Sequence, residues 1–253
     1  MIRIVIPMAG RGSRFEAAGY ERPKPLIEIH GVPMIDIVVR NLSLQVPHRF
    51  IFLPLRQHLD DYDLLEHLQA IAPGCEVVPV EEITQGAACT ILLARHLIED
   101  DGPLILANSD QYLDIDMDGF VADMERRNLS GLIMTFPARH PKWSYARVDP
   151  AGLVREVIEK QPISRHATTG VYLFRRGRDF VRAAQRMIDR DFRVHGEFYT
   201  APVYNYLIAE GARVGIYEIA PEGEGMFGMG TPEDLEAFLD SPASLVAAGR
   251  KPA

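Results

Sequence analysis

A short amino-terminal segment carries the residues whose types and spacing most clearly indicate chemistry. Gly10 and Gly12 flank one cation, and Arg14 follows as a second. Glycines in such a segment let the main chain turn sharply and bring bare N–H groups close to a bound anion. Lys24, between two prolines, offers another positive charge ten residues after Arg14. The segment therefore predicts a turn that binds a polyphosphate.

Two well-known phosphate-binding motifs do not match this segment. A P-loop needs a longer gap between its glycines, followed by Gly-Lys-Ser/Thr, and the chain lacks that sequence. The dinucleotide-binding fingerprint needs a third glycine where the chain has Phe15, and an immediate helix where Pro23 and Pro25 follow. The turn is therefore expected to bind phosphate without forming either a P-loop or a dinucleotide-binding fingerprint.

Two further candidate sites lie in the first half of the chain. Asp110 follows the apolar run 104–107, so we expect it at the carboxyl end of a central strand, where open α/β sheets bind ligands. Magnesium is bound by one or two carboxylates together with substrate phosphates, which makes Asp110 a candidate ligand. Gln85 offers an amide donor and acceptor to a nucleobase edge, and Gly86 permits close approach. The alternative for Asp110 is a solvated loop aspartate without a ligand. The alternative for Gln85 and Gly86 is an ordinary helix start.

A third candidate site is the adjacent acid and base Glu159 and Lys160, at the end of the predicted strand 154–158. An exposed ion pair would contribute little to stability, whereas a pair at the edge of a pocket could bind a polar substrate. Tyr145 lies where a neighbouring strand begins and could border the same pocket, or could serve only in packing.

The composition and the remaining motifs exclude several classes of function. The formal net charge of −8 argues against binding to a nucleic-acid backbone. The eight histidines are scattered without HExxH, and Gly-x-Ser-x-Gly is missing, which excludes the familiar zinc-protease and hydrolase signatures. The two cysteines lack CxxC spacing and are predicted to be buried thiols. Without a membrane-spanning run or a signal peptide, we expect a cytoplasmic location and no membrane partner.

Strand and helix patterns alternate as far as about residue 130. After that point strands follow one another with little helix between them, which is typical of an antiparallel extension. The chain is therefore predicted to be an α/β protein with a mixed, mostly parallel central sheet. A single domain is expected over residues 1–240, and the small, polar residues 241–253 are expected to fray.

The amino-terminal motif resembles the signature of the sugar-phosphate nucleotidylyltransferase family. In that family Gly-x-Gly-Ser/Thr-Arg precedes Pro-Lys-Pro-Leu and a small-residue turn. The matching residues are Gly10, Gly12, Ser13, Arg14, Lys24, Pro25, Leu26 and Gly31. The later motifs occur in the family's order, so the resemblance extends to about Leu239.

The resemblance implies a Rossmann-like, GT-A-type core and a defined reaction. An NTP (CTP, UTP or dTTP) would react with a phosphorylated small metabolite, giving an NDP-linked product and pyrophosphate. Residues 1–130 would form the nucleotide-binding half and residues 131–240 the acceptor-binding half. Pyrophosphate would leave toward Arg14 and the glycine turn, while Lys24 and Lys160 would offset the repulsion between the anionic reactants.

The resemblance also assigns roles residue by residue. Catalytic residues would be Arg14, Lys24 and Lys160; nucleotide-binding residues would be Ala9, Gly10, Gly12, Ser13, Gln85, Gly86 and Asp110; acceptor-binding residues would be Glu159, Thr169, Gly170 and Tyr145. Asp110 would hold Mg²⁺.

The chain departs from the family at Gly228, where better-known members carry a second metal-binding aspartate. One carboxylate and water could suffice, or one of three glutamates could supply the second ligand; these are Glu197, Glu222 and Glu224. This departure resembles a branch associated with surface-polysaccharide genes, in which some members use non-sugar phosphates. A sugar 1-phosphate and a non-sugar phosphate are therefore both open as acceptor.

Two functions from other classes stay open at this point. Asp114-Ile115-Asp116 fits the Asp-x-Asp pattern of GT-A glycosyltransferases, although it falls after the predicted strand-end aspartate. The missing carboxylate at Gly228 is compatible with a non-catalytic nucleotide-binding regulator. The sequence is compatible with a homo-oligomer but does not indicate its size.

Overall fold

The computed structural model describes residues 1–251. The strands are β1 (Ile2–Met8), β2 (Glu28–Ile29), β3 (Val32–Pro33), β4 (His48–Pro54), β5 (Glu76–Val77), β6 (Leu104–Ala107), β7 (Gln111–Leu113), β8 (Gly131–Pro137), β9 (Tyr145–Val148), β10 (Val154–Ile158), β11 (His166–Phe174), β12 (Val214–Glu218) and β13 (Met226–Gly228). The helices are α1 (Ser13–Ala17), α2 (Met34–Leu42), α3 (Arg56–Asp61), α4 (Leu64–Ile71), α5 (Ala87–Leu92), α6 (Arg95–Ile98), α7 (Met117–Arg126), α8 (Gly177–Asp189), α9 (Val203–Ala209), α10 (Pro232–Leu239) and α11 (Pro242–Ala247). No helix among residues 1–251 is both long and apolar enough to cross a membrane.

A nine-stranded sheet forms the centre of the molecule, with β1 between its parallel neighbours β4 and β6. Successive residues of β1 alternate between two hydrophobic clusters: Ile4 and Ile6 pack in one, and Val5 packs in the other. Both faces of the strand are therefore covered, which explains why β1 is a continuous apolar run. The predicted α/β class with a mixed central sheet is confirmed.

The second half of the chain continues the same sheet in antiparallel fashion, as its sequence pattern indicates. β11 pairs antiparallel with β6, β8 and β9, and β9 pairs with β10. Because β11 joins directly to β6, hydrogen bonding crosses the expected boundary near residue 130 without interruption. The two halves therefore share one sheet.

Two helical stretches are interrupted. The chain between α3 and α4 is not helical, because Tyr62 has extended backbone angles. Helices α5 and α6 are separated near Ala94. Helix α7 was not predicted from the pattern; the Asp116 side chain caps it by accepting a hydrogen bond from the Asp118 N–H.

The expectation that the tail frays from residue 241 is wrong for most of it. Residues Pro242–Ala247 form α11, and Ser244 is fully buried. The Ser244 hydroxyl lies 2.8 Å from His30 Nε2, and Arg250 donates a 2.6 Å hydrogen bond to the His30 carbonyl. Long-range contacts to the amino-terminal half thus order a segment whose composition favours fraying. Residues 252 and 253 lie outside the described part of the chain.

A small two-stranded ladder positions the carboxyl-terminal loop at the sheet edge. Strands β7 and β13 pair antiparallel immediately after Asp110, and the Met229 N–H donates a 2.8 Å hydrogen bond to the Asp110 carbonyl. The loop that precedes α10 is therefore held against the end of β6.

Candidate active site

Two adjoining compartments open at the carboxyl ends of β1 and β6. The first, here called the glycine-turn compartment, has a volume of about 510 Å³ and is lined by Ala9, Gly10, Arg11 and Lys24, among others. The second, the Lys160 compartment, has a volume of about 460 Å³. Ala87, Asn108 and Asp110 line both compartments. The site is thus one cleft with two parts, and it lies beside β1, where the strand order of the open α/β sheet reverses and ligands commonly bind.

The glycine turn follows β1 directly. Gly12 has a φ of +67°, a left-handed conformation that glycine adopts without strain, and α1 begins at the next residue. A Cβ on Gly12 would lie 3.6 Å from the Lys24 Cβ, so the turn packs against the segment that carries this lysine. Ser13 is exposed and lines neither compartment.

The two arginines of the turn separate into different compartments. Arg11 lines the glycine-turn compartment, whereas Arg14 lines the Lys160 compartment. The left-handed Gly12 reverses the chain and the helix then redirects residue 14, so the expectation that Arg14 shares the glycine-turn side is not met. Hydrogen bonds from the Glu233 main chain and from Thr231 lower the pKa of Glu233 at the start of α10, and the charge of Arg14 adds a smaller effect in the same direction.

Asp110 lies at the junction of the two compartments. Its Oδ2 accepts a 2.7 Å hydrogen bond from Lys24 Nζ, and both side chains are partly buried. A Cβ on Gly230 would lie 3.0 Å from the same oxygen, so the carboxyl-terminal loop approaches the carboxylate closely. The pair places one anion and one cation where the compartments meet.

The residues present fit a magnesium ion that arrives with a phosphate-bearing ligand. Within residues 1–251 no group of three or more His, Cys, Asp or Glu side chains could by itself hold a metal ion. Asp110 thus offers a single carboxylate at the shared wall of the cleft. Magnesium sites of this kind take their remaining ligands from substrate phosphates and water.

The structure also shows what surrounds Gly228. A Cβ there would lie 3.9 Å from Asp234 Oδ2, so this carboxylate borders the position. Lys142 Nζ binds Glu222 at 2.9 Å and Asp234 at 3.2 Å. Of the glutamates considered from sequence, Glu222 is therefore paired, Glu197 lines the glycine-turn compartment and Glu224 lines neither compartment.

The expected base-reading role of Gln85 finds no support in its position. Its side chain is exposed and lines neither compartment, while its carbonyl accepts a 2.8 Å hydrogen bond from the Phe198 N–H. Gly86 lines the glycine-turn compartment and has a φ of +130°. A Cβ on Gly86 would lie 2.6 Å from both the nitrogen and the oxygen of Phe198, so this glycine makes room for the Phe198 main chain.

A buried carboxyl group forms part of the Lys160 compartment. Glu159 is only 8% exposed and accepts a hydrogen bond from the Ser144 hydroxyl. Burial raises the pKa of Glu159, while the Ser144 hydrogen bond and the charge of Lys160 act in the opposite direction. Close by, the hydroxyls of Thr168 and Tyr172 are 3.0 Å apart. These groups supply polar atoms on an otherwise buried wall.

Thr169 and Gly170 lie in the wall of the Lys160 compartment, where the sequence places them. Gly170 has a φ of +89°, and a Cβ there would collide with the Asn108 side chain. Tyr145, in contrast, is fully buried in the core, and its hydroxyl donates a 2.8 Å hydrogen bond to the His140 carbonyl. Its predicted acceptor-binding role is wrong, because its position in β9 turns it into the core.

The lysines are concentrated in the cleft. The chain has four, and three of them line the compartments: Lys24, Lys142 and Lys160. Lys24 and Lys142 are engaged by carboxylates, whereas Lys160 Nζ lies 2.5 Å from the Tyr199 hydroxyl. Cationic side chains therefore line the cleft on both sides of Asp110, and of the three lysines only Lys160 is without a carboxylate partner in the described residues.

Several lining residues were not assigned a role from sequence. These are Arg11, Asn108, Gln111, Lys142, Ser144, Tyr199 and Asp234. Most stand outside any recognisable motif and reach the cleft only through the fold. Arg11 is the exception, because its place between the two glycines was a usable signal.

The Asp-x-Asp pattern lies away from both compartments. Asp116 caps α7, and the Asp114 N–H donates a 2.8 Å hydrogen bond to the Gly225 carbonyl. Neither residue lines the glycine-turn or the Lys160 compartment. The pattern therefore serves local structure here.

Comparison with known proteins shows which family this chain resembles. Residues 4–199 match the sequence model of the nucleotidyl transferase family. The bifunctional protein GlmU of Enterococcus faecalis is 25% identical over 238 residues, covering 88% of this chain and 48% of the relative. The mannose-1-phosphate guanylyltransferase catalytic subunit beta of Dictyostelium discoideum is 26% identical, covering 68% of this chain and 49% of the relative. The chain thus spans about half the length of these curated relatives.

Solved structures show the same architecture. A nucleoside-diphosphate-sugar pyrophosphorylase from Vibrio cholerae RC9 superposes with a TM-score of 0.80 at 27% identity, covering 93% of this chain and 99% of that chain. A UDP-glucose pyrophosphorylase complexed with UDP-glucose gives a TM-score of 0.73 at 18% identity, covering 94% and 97% of the two chains. At 18% identity, the similarity to the UDP-glucose pyrophosphorylase shows a shared fold.

Proposed function

The chain belongs to the nucleotidyl transferase family, and we propose that it joins an NTP to a phosphorylated small metabolite with release of pyrophosphate. One observation carries the proposal: two compartments meet at a single carboxylate, Asp110, and each compartment is lined by at least one lysine of its own. Such an arrangement suits two anionic substrates that react where the compartments join. The name of the Vibrio cholerae relative, a nucleoside-diphosphate-sugar pyrophosphorylase, supports the same class of reaction.

The residues act by binding, orientation and charge. The main chain of Ala9 and Gly10, with Arg11, binds the triphosphate in the glycine-turn compartment. Lys160 and Arg14 bind the acceptor phosphate on the other side. An acceptor phosphate oxygen then attacks the α-phosphorus in line, and pyrophosphate leaves toward the glycine turn. Fixed cations lower the repulsion between the two anions and stabilise the charge in the transition state.

Lys24 and Asp110 change partners when substrate binds. Their 2.7 Å ion pair neutralises both groups in the structure described here. A triphosphate in the glycine-turn compartment competes for Lys24 and frees Asp110. Magnesium bound there would neutralise phosphate charge and orient the phosphate oxygens.

We propose that the acceptor is rich in hydroxyl groups, as a sugar phosphate is. A non-sugar phosphate that carries a quaternary ammonium group would be favoured by a free aromatic face, yet Lys142 lies 4.5 Å from the Trp143 ring centre and Lys160 lies 4.7 Å from that of Tyr199. The buried Glu159 and Ser144 offer hydrogen bonds that suit hydroxyl groups. The choice among CTP, UTP and dTTP, and a role in surface-polysaccharide synthesis, stay predictions from the resemblance.

Pyrophosphate release tests the proposal directly. The purified protein is incubated with Mg²⁺, each of the common NTPs and dTTP in turn, and a panel of sugar 1-phosphates and phosphocholine. We expect pyrophosphate to form only when an NTP and a phosphorylated acceptor are both present. A glycosyltransferase would instead release NDP from an NDP-sugar, and a nucleotide sensor would bind NTP without any product. Either result would replace the proposed reaction.

A further inference from the structure

Lys160 is held by an aromatic residue instead of a carboxylate. Its Nζ donates a 2.5 Å hydrogen bond to the Tyr199 hydroxyl and lies 4.7 Å from the centre of the same ring. Within residues 1–251 no salt bridge to Lys160 is formed, whereas Lys24 and Lys142 both form ion pairs. Lys160 is therefore fixed in place with its charge left available to an incoming anion.

The backbone at this lysine needs external support. Lys160 has a φ of +56°, a left-handed conformation that is unfavourable for a non-glycine residue. Its long side chain would otherwise sample many rotamers, and ordering it on substrate binding would weaken binding. A partner that fixes the ammonium group before substrate arrives removes this cost.

Tyr199 can give such support because its own main chain is clamped. The segment 197–200 runs along the boundary between the compartments: Glu197 lines the glycine-turn compartment, and Tyr199 and Thr200 line the Lys160 compartment. The intervening Phe198 donates its N–H to the Gln85 carbonyl at 2.8 Å and accepts a 3.1 Å hydrogen bond from the Ala88 N–H. Gly86, without a Cβ, allows this contact.

We propose that Tyr199 is a positioning residue that holds Lys160 ready for the acceptor phosphate. The hydroxyl and the ring orient the ammonium group without neutralising it, and the Phe198 clamp fixes the tyrosine. The proposal rests on the proposed function, because it takes the Lys160 compartment as the acceptor site. It adds a residue that no local motif indicated.

A labelling experiment tests the contact without depending on turnover. Tyr199→Phe keeps the ring and removes only the hydroxyl, so we expect Lys160 to be acetylated about threefold or more faster than in the wild type. Lys142, in the same compartment, serves as the internal reference in the mass-spectrometric measurement. Tyr206→Phe is the matched control, because Tyr206 also lies beneath a cation, Arg190, but lines neither compartment. Unchanged acetylation of Lys160 in Tyr199→Phe would overturn the proposal.

Kinetics then test whether the contact serves the acceptor. We expect Tyr199→Phe to raise the KM for the acceptor about tenfold and to leave the KM for the NTP unchanged. In a Lys160→Met background the same substitution should have no further effect, because the residue it positions has been removed. Additive losses, or a rise in the NTP KM alone, would contradict the positioning role. If the wild type releases no pyrophosphate, the proposed function fails, while the labelling result still decides the Tyr199–Lys160 contact.

Discussion

The glycine-turn compartment and the Lys160 compartment are built in different ways. The first has its longest continuous stretch of lining, residues 7–11, at the end of β1 and the start of the glycine turn, and Lys24 packs against Gly12. The second is assembled from eight separated segments, among them those of Arg14, Ser144 and Tyr199. Their electrostatics differ as well: Lys24 is paired with Asp110, while Lys160 keeps a free charge beside a buried carboxyl.

This difference predicts how each compartment tolerates change. A site made of main-chain N–H groups loses little when a neighbouring side chain is altered, because the donors remain. A site made of converging side chains depends on each contact that orients them. The following experiments, from the largest expected effect to the smallest, test that contrast.

Asp110→Asn should have the largest effect, since this residue serves both compartments. We expect turnover to fall by about a thousandfold or more, because the isosteric amide keeps the shape but removes the charge. Pyrophosphate release measured across a magnesium titration checks the loss. A variant with nearly normal turnover at saturating magnesium would refute the assignment of Asp110.

Lys160→Ala and Arg14→Ala should each lower turnover about a hundredfold, because each removes a cation from the acceptor side. The structure sharpens the expectation: both variants should bind NTP normally, as measured by calorimetry without acceptor. Lys251→Ala, which changes an exposed lysine that lines neither compartment, is the matched control. Loss of NTP binding in Arg14→Ala would instead assign this arginine to the glycine-turn side.

Gly86→Ala should act on both compartments through the Phe198 clamp. The added Cβ would meet the Phe198 main chain at 2.6 Å, so we expect unfolding to become easier by about 2 kcal/mol. Thermal denaturation measures the change. Gly10→Ala is the comparison, because a Cβ there meets no atom within 4 Å and should leave stability nearly unaltered. Equal melting temperatures for the wild type, Gly86→Ala and Gly10→Ala would show that the Phe198 main chain has room for a Cβ at residue 86.

Glu159→Gln should have the smallest effect, visible only in the pH dependence of stability. Burial raises the pKa of Glu159 in the folded protein above its unfolded value, so the folded state binds this proton more tightly. The contribution of Glu159 to stability is therefore greatest below the unfolded pKa and falls as the pH rises through the folded pKa. A glutamine side chain does not titrate, so the stability of Glu159→Gln does not contain this pH-dependent loss. The stability of the variant relative to wild type should therefore increase as the pH rises from the unfolded pKa through the folded pKa of Glu159. Urea denaturation at a series of pH values measures the difference; a constant difference would contradict the raised pKa.

Much of the first compartment could be predicted from sequence. The apolar run of β1, the glycines at 10 and 12, and the carboxylate after β6 each have a local signature, and the structure brings Ala9, Gly10, Lys24 and Asp110 together. The α/β class followed from strand and helix periodicity in the same way. Glu159, Lys160, Thr169 and Gly170, which the resemblance implies on the acceptor side, all line the second compartment, and their roles stay predictions.

The errors concern the directions of individual side chains. Tyr145 turns into the core, Gln85 turns to solvent, and Arg14 enters the other compartment from the one expected. The direction of each is set by strand register or by the residue at which a helix begins, and a shift of one residue reverses it. Short motifs do not specify that shift.

The sequence by itself determined where the chain turns, which runs are buried on both faces, and which residues could bear charge near a phosphate. These properties depend on neighbours within a few positions, through backbone sterics and hydrophobic period. Only the tertiary structure decided that Tyr199 holds Lys160, that Gly86 admits Phe198, and that residues 242–247 are ordered against His30. Such contacts join residues far apart in the chain, and their stability depends on packing and desolvation that arise only when the sheet has formed.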